Sequence, residues 1–325
     1  MRTRVFPDGT AVSAIGCGDV SLATASLRNV HASDVAGALE MALALGITFV
    51  DVADEDDAER LVGLTVRAMR VRDGVVVSTR VPIETDPFGM QKLGVPVAWV
   101  QERVERSLRA TKLDVIPLVQ IAMLPAWRAA REWPEFEETC ARLVREGKVQ
   151  RFSAVPAGEP IVPRDPDEPP PPSPLDAPWI VALAMPFSMC ERKAPLPAGR
   201  MALAHRPLAG GALAGAIGPG AKLAIKDDRR AVDDAMLVRY AIMAARLAPF
   251  VKHVPPSARS CEESLGYLDQ GVRPERVECE TLAELALRWV IDRGALALPR
   301  LHRKQHVAEA ISAGMAAPLA YDPVS

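Results

Sequence analysis

Phe49-Val50-Asp51-Val52-Ala53-Asp54 runs on through Glu55 into Asp56-Asp57-Ala58-Glu59-Arg60-Leu61-Val62-Gly63. A short β-branched and aromatic run ends in an aspartate, spills into an acidic loop and then takes up a helical pattern. In an α/β protein ligands sit at the carboxyl ends of parallel strands, which makes Asp51 a site candidate.

Working outward, Ser33 is expected to cap a helix carrying Val35, Leu39, Ala42 and Leu43 on one face, with Gly46 as its stop. Val75 to Arg80 is a continuous apolar strand of the buried parallel kind. A helix with Val100, Val104 and Leu108 in phase leads to the strand Val115 to Ala122, where Pro117 predicts a bulge. A helix with Phe136, Cys140, Leu143 and Val144 on one stripe follows, then a strand from Gln150 to Ala154. Further strands are expected at Ile180 to Met185, Met201 to Ala204 and Ala295 to Leu298. Thr281 with Glu284 forms a capping box for a helix burying Leu282, Leu285, Trp289 and Val290, and a last helix carries Val307, Ala310 and Ile311. At the start, Val5 to Gly18 reads as a hairpin turning at Pro7-Asp8-Gly9.

Strand and helix alternating at this spacing define an α/β chain with a parallel sheet, the pattern of an eight-stranded parallel β/α (TIM) barrel. The N-terminal hairpin is expected to plug its bottom, with long loops over its C-terminal face. Residues 1–325 are read as one barrel domain with insertions at about 156–178 and 222–278. The first is proline-rich, including Pro169 to Pro172, and suits a loop or polyproline segment. The second is expected to be helical around Met236, Tyr240, Met243 and Leu247.

The opening stretch resembles the aldo-keto reductase signature, a strand-end Asp-Thr-Ala followed by Tyr-Gly and then a Glu leading into Leu-Gly. Asp51, Ala53, Glu59 and Gly63 match it, and Pro207-Leu208-Ala209-Gly210-Gly211 resembles the family's Pro-Leu-x-x-Gly loop. The resemblance spans roughly Val5 to Ala313. It implies the barrel fold and hydride transfer from NADPH to a carbonyl. In that chemistry a tyrosine donates the proton, a lysine paired with an aspartate tunes it, and a histidine orients the substrate. Here the tyrosine's place falls on Asp56, the lysine's on Arg80 and the histidine's on Ala122. Arginine keeps the charge but gives up no proton.

The positions that would hold the cofactor differ in the same way. The Ser-Asn pair corresponds to Val155-Pro156, the glutamine to Ala184, and the tyrosine that stacks on the nicotinamide to His205-Arg206. Gly16-x-Gly18 either lies beneath a cofactor or simply lets the backbone turn. The basic run Arg300, His302, Arg303, Lys304 and His306 either holds a phosphate at a helix start or is a solvated face. Arg300 and Arg303 are its residual cofactor candidates.

Composition excludes other classes. A net charge of -2 gives no reason to expect nucleic acid or a membrane surface as partner. The five cysteines show no Cys-x-x-Cys pair and the N-terminus shows no signal-peptide pattern, from which a cytoplasmic setting with reduced thiols is expected. No metal-ligand spacing occurs among the histidines. The expectation is a catalytically degenerate barrel without a cofactor, acting as a binding or accessory protein in bacterial specialised metabolism. Its ligand would be a small molecule, biosynthetic intermediate or precursor peptide, shared with partner enzymes and held by His205 and Arg206. One alternative is a non-redox isomerase or cyclase using Asp51, Asp56 and Arg80 as acid, base and clamp. The other is an NADPH-dependent carbonyl oxidoreductase with an atypical site.

Overall fold

The structure, a computed structural model, describes residues 1–157, 173–192, 196–217, 234–255 and 278–324. The Pro169 to Pro172 run, Cys261 and most of the 222–278 stretch lie outside the described residues.

Strands β1 (Thr3–Val5) and β2 (Ala11–Ser13) pair antiparallel around Pro7-Asp8-Gly9. Gly9 takes a φ of +88°, open to glycine, and Asp8 Oδ1 accepts from Thr10 N at 3.0 Å to hold the turn. Then come β3 (Cys17–Val20), α1 (Leu22–Leu27), α2 (Ala32–Ala44), β4 (Phe49–Val52), α3 (Asp56–Ala68), β5 (Val76–Val81), α4 (Val97–Thr111) and β6 (Leu118–Met123). They are followed by α5 (Trp133–Arg145), β7 (Phe152–Pro156), β8 (Ile180–Pro186), β9 (Met201–His205) and α6 (Asp234–Leu247). A two-stranded parallel pair, β10 (Val251–His253) and β11 (Cys279–Thr281), precedes α7 (Leu282–Asp292), β12 (Leu296–Leu298) and α8 (Lys304–Met315). The helix expected around Met236 to Leu247 is thus present as α6.

Eight parallel strands run in the order β12, β9, β8, β7, β6, β5, β4, β3, and the two ends meet. Gly16 N donates to Ala297 O at 2.9 Å, and Gly18 N donates to Pro299 O at 2.8 Å. A Cβ on Gly18 would lie 2.1 Å from Leu298 O, so the close approach that shuts the barrel requires glycine there.

In-register residues of parallel neighbours point to the same face. Asp51, Ser78 and Leu118 therefore form one inward row, and Arg80, Gln120, Ser153 and Ala182 another. The inward apolar cluster holds Phe6 and Val12 of the hairpin together with Phe49, Val76, Leu118, Met201, Leu203 and Leu296. Phe6 stacks on Phe49 with ring centroids 6.4 Å apart, which seats the hairpin as a plug. Burying each of these large side chains contributes roughly 1.5–3 kcal/mol. The alternate residues, Val50, Val52 and Val77 among them, pack outward under the helices. A barrel strand must bury both faces, and this is why the sequence reads as near-continuous apolar runs.

Three local expectations need correction. Pro117 makes no bulge: Ile116 N donates to Lys148 O and Gln150 N donates to Ile116 O before it, and from Leu118 onward β6 keeps the same register with β7, so the proline sits within the pairing without shifting it. Helix α2 starts at Ala32, so Ser33 lies inside it and His31 is the cap; the Asp34 carboxylate accepts from His31 N at 3.2 Å. At α7 the Thr281 Oγ1 accepts from Glu284 N as expected, but the Glu284 carboxylate accepts from Glu280 N, one residue earlier than the box predicts.

Helices α3 and α4 touch at Gly63, where a Cβ would sit 1.9 Å from Thr111 O. Beside that contact Glu59 is fully buried, accepting from Ser107 Oγ at 2.6 Å, and burial pushes its carboxyl up to about 7 against that hydrogen bond. Among the described residues, no helix is long and apolar enough to cross a membrane.

Candidate active site at the barrel mouth

Asp51 ends the inward row of β4 and is fully buried. Three neighbouring strands hold its carboxylate. Asp19 N, at the end of β3, donates to Oδ2 at 3.2 Å, Arg80 of β5 forms an ion pair with the same oxygen, and Gln120 Nε2 of β6 donates to Oδ1 at 2.6 Å. Gln120 Nε2 also lies 2.7 Å from Ser78 Oγ.

The cluster extends through Arg80. Its Nη1 reaches Asp19 Oδ1 at 2.8 Å, and Arg300 Nε donates to Asp19 Oδ2 at 2.6 Å. An alternating chain Arg300–Asp19–Arg80–Asp51 thus crosses the mouth from the end of β12 to β4 by way of β3 and β5. Its outer members keep between 20 % and 26 % of their side-chain exposure, while Asp51 beneath them keeps none. His205, last residue of β9, places Nε2 3.8 Å from Asp51 Oδ2.

Burial and charge set the protonation of this cluster. Burial pulls the Arg80 guanidinium down, but Asp51 and Asp19 outweigh it and hold the group above its ordinary value. Burial would raise the Asp19 carboxyl, yet Arg80 and Arg300 bring it down to about 2. Burial lowers His205 to about 4, with Arg80 reinforcing the shift and Asp51 opposing it, so its imidazole is neutral near pH 7. His302, just past Arg300, is likewise lowered to about 4, by burial and by Arg300.

The structure brings together Asp51, Arg80, His205 and Arg300. It does not bring Asp56 to them. Asp56 opens α3, and its Oδ1 accepts from Arg106 Nε of α4 at 2.6 Å, on the helical layer outside the barrel. Arg206 is exposed, at a positive φ of 55°, and takes no part in the chain of ion pairs. Arg303 is exposed at the start of α8 and donates to Arg28 O at 3.4 Å. Cys17 faces outward, where burial pushes its thiol up to about 12.

Asp19 and Gln120 are the residues that reading the sequence misses, together with Ser78 and Ser153. Asp19 follows Gly18, and its φ of 48° is uncommon for a residue other than glycine. The signal lay in the Gly18-Asp19 pair at the end of the first barrel strand, read only for its glycines.

Fold and site together define a β/α barrel whose polar cluster sits at the carboxyl ends of its strands. Residues 14–154 match the model of the Aldo/keto reductase family, so the first five barrel strands carry that family's sequence pattern. No curated protein sequence matches the chain. Among solved structures the chain is similar in fold to an aldo/keto reductase from Klebsiella pneumoniae in complex with NADP and acetate, at 21% identity and a TM-score of 0.57, covering 97% of this chain and 90% of that one. It is similar to an aldo-keto reductase from Bacillus halodurans in its holo form, at 18% identity and a TM-score of 0.58, covering 98% and 92%. It is also similar to the glycerol dehydrogenase of Gluconobacter oxydans, at 19% identity and a TM-score of 0.65, covering 98% and 91%.

These likenesses correct the expectation of a barrel without a cofactor. The Klebsiella enzyme was crystallised with NADP and also with NADPH, which points to a nicotinamide cofactor. The residues present fit such a group. Gln120 Oε1, Ser153 Oγ, His205 Nε2 and His302 Nε2 are buried polar atoms that find no hydrogen-bond partner in the protein. Gln120 and Ser153 are paired neighbours on the inner face of the strands, and His205 closes the same mouth. Buried polar atoms without partners call for an explanation, and at a barrel mouth a bound ligand supplies one. The expectation failed because it asked only whether the family's residue types were kept, whereas Gln120, Ser153, His205 and His302 offer buried polar atoms of other kinds.

Proposed function

We propose that this chain binds a nicotinamide dinucleotide across the C-terminal mouth of its barrel, and that it serves as a binding or accessory protein rather than as a carbonyl reductase. When bound, the dinucleotide supplies a hydride donor or acceptor. The chain's own residues would hold it: Gln120, Ser153 and His205 through their unpartnered polar atoms, and Arg300 to Arg303 at the start of α8.

The observation that carries this reading is the chain Arg300–Asp19–Arg80–Asp51. Carbonyl reduction needs a group that releases a proton beside the developing alkoxide. Around Asp51, Arg80 is held charged, Asp19 is held ionised and His205 is held neutral. Arg80 cannot give up a proton near neutral pH, and the pair it forms with Asp51 fixes both groups in place. The two guanidiniums face two carboxylates, so charge that selects an anionic ligand must come from the rim, from Arg206 and Arg303. Such a ligand, a small biosynthetic intermediate or a peptide shared with partner enzymes, suits bacterial specialised metabolism.

The isomerase or cyclase reading finds less support, because Asp56 is engaged by Arg106 away from the mouth. Calorimetric titration with NADPH, paired with turnover assays on a panel of aldehydes and ketones, tests the proposal. Saturable binding without carbonyl-dependent oxidation supports it. Binding with turnover restores the oxidoreductase reading.

A further inference from the structure

Residues 82–97, the loop that joins β5 to α4 with the first residue of that helix, fold back on themselves and carry apolar side chains into solvent. Asp86 organises it. Its Oδ1 accepts from Phe88 N at 2.8 Å and Met90 N at 2.9 Å, and its backbone N–H donates to Met90 O at 2.9 Å. Gly89 turns the tip at a φ of +82°, and Lys92 N donates to Glu84 O at 2.8 Å. The base is pinned twice: Trp99 Nε1 donates to Pro82 O at 3.0 Å and Trp127 Nε1 donates to Leu93 O at 2.9 Å.

On this ordered support Phe88 is 91% exposed, Met90 68% and Leu93 64%. The other exposed large apolar residues of the described chain are dispersed over separate elements. Single exposed apolar residues are ordinary, but three within six positions on a loop fixed by its own hydrogen bonds form a patch.

At the base of the same loop lies a pocket of about 400 Å³, lined by Val95, Val97 and Trp99 and by Glu84, Glu102, Glu132 and Glu135. That volume suits side chains of a ligand or peptide (roughly 300–1,000 Å³ is usual). Glu84 is paired with Lys92, whereas Glu102, Glu132 and Glu135 form no salt bridge among the described residues. Glu132 and Glu135 open α5 and suit its N-terminus, and Glu102 lies one turn before Arg106 on α4, whose charge it supports, yet no basic residue lines the pocket itself. Apolar anchors beside a negatively charged pocket call for a partner that brings apolar residues and a cation together.

We propose that the 82–97 loop and its pocket form a docking surface for a partner polypeptide that presents a lysine or arginine between apolar residues. The apolar residues cover Phe88, Met90 and Leu93, and the cation enters the pocket among the glutamates. This surface is independent of the nucleotide reading, since none of its residues belongs to the Asp51 cluster.

The test is selection of random twelve-residue peptides displayed on phage against the immobilised full chain. The expected result is enrichment of sequences with Lys or Arg flanked by aliphatic or aromatic residues. A synthetic peptide of the enriched sequence should lose affinity at least tenfold against Phe88→Ser/Met90→Ser, and again against Glu132→Gln/Glu135→Gln. A single cooperative thermal transition kept by each variant shows that the fold is intact, the glutamine pair melting slightly lower because the α5 N-terminus loses its acidic charge. Failure to enrich any sequence, acidic winners, or equal binding to parent and variants would overturn the proposal. So would a dimer in analytical ultracentrifugation that the Phe88→Ser/Met90→Ser variant dissociates, because the occupant would then be a second copy of this chain.

Discussion

Gln120 Nε2 donates to Asp51 Oδ1 at 2.6 Å across two strands of the barrel. Neither residue reaches bulk solvent, and the amide is shared with Ser78. Asp51 is therefore clamped from β3, β5 and β6 at once, as the buried end of a chain of ion pairs. Replacing Gln120 by Leu leaves one carboxylate oxygen buried without its donor, at a cost of roughly 1–3 kcal/mol. Urea unfolding should show that loss, whereas Gln305→Leu, on an exposed turn of α8, should change stability by less than about 0.5 kcal/mol. Equal stability of the two variants would mean that the clamp contributes nothing.

The seam between β3 and β12 rests on the absence of a side chain at Gly18. An alanine Cβ would stand 2.1 Å from Leu298 O, a backbone atom that cannot swing away. Gly18→Ala is expected to destabilise the barrel by about 3 kcal/mol or more. Thermal unfolding checks it, with Gly74→Ala, where a Cβ would meet nothing within 4 Å, as the harmless comparison.

Glu59 gives the fold a pH dependence of known sign. Its carboxyl holds a proton up to about pH 7 in the folded chain, whereas the unfolded chain releases it near 4.5. The folded state thus binds the extra proton between those values. Stability from this group is full below pH 4.5, falls as the pH rises to about 7, and stays lost above, by roughly 3 kcal/mol at 1.36 kcal/mol per unit. His205 and His302, lowered to about 4, pull the other way between about 4 and 6.5. Urea melts of Glu59→Gln against the parent cancel those common contributions. The variant should gain relative stability between pH 5 and 8, and a constant difference across that range would contradict the assignment.

His205 should remain neutral well below the usual histidine range. Nitrogen-15 imidazole spectra recorded from pH 8 downward should show no protonation of this ring above about pH 5. A midpoint near 6.5 would remove the neutral imidazole from the description of the mouth.

Much of this was legible in the amino-acid sequence. The run through Phe49 to Val52 ends in the one carboxylate that the mouth is built around, because a barrel strand must be apolar on both faces until it reaches the ligand end. The hairpin at Pro7-Asp8-Gly9 declared itself through turn chemistry, and the loop at Pro207-Leu208 through its likeness to the family's Pro-Leu-x-x-Gly pattern. Asp56 was misplaced for a physical reason: its position in the chain fits the mouth, but the helical turn starting there points it toward Arg106. Asp19 went unseen because an aspartate at positive φ after a glycine has no periodicity to mark it. The charge pairing of Arg300 with Asp19 joins residues 281 positions apart, a distance no local pattern reports.

If the mouth binds a nicotinamide dinucleotide but supplies no proton for carbonyl reduction, binding and turnover come apart in one experiment. The most direct measurement mixes the full chain with a stoichiometric amount of NADPH, follows binding by the fluorescence of the reduced nicotinamide, and then adds aldehydes and ketones in turn while its absorbance is recorded. The expected result is a saturable fluorescence change and no carbonyl-dependent loss of absorbance over the rate seen with NADPH alone. Carbonyl-dependent oxidation at turnover numbers of ordinary enzymes, roughly 1–10³ per second, would contradict it, as would the absence of any NADPH binding.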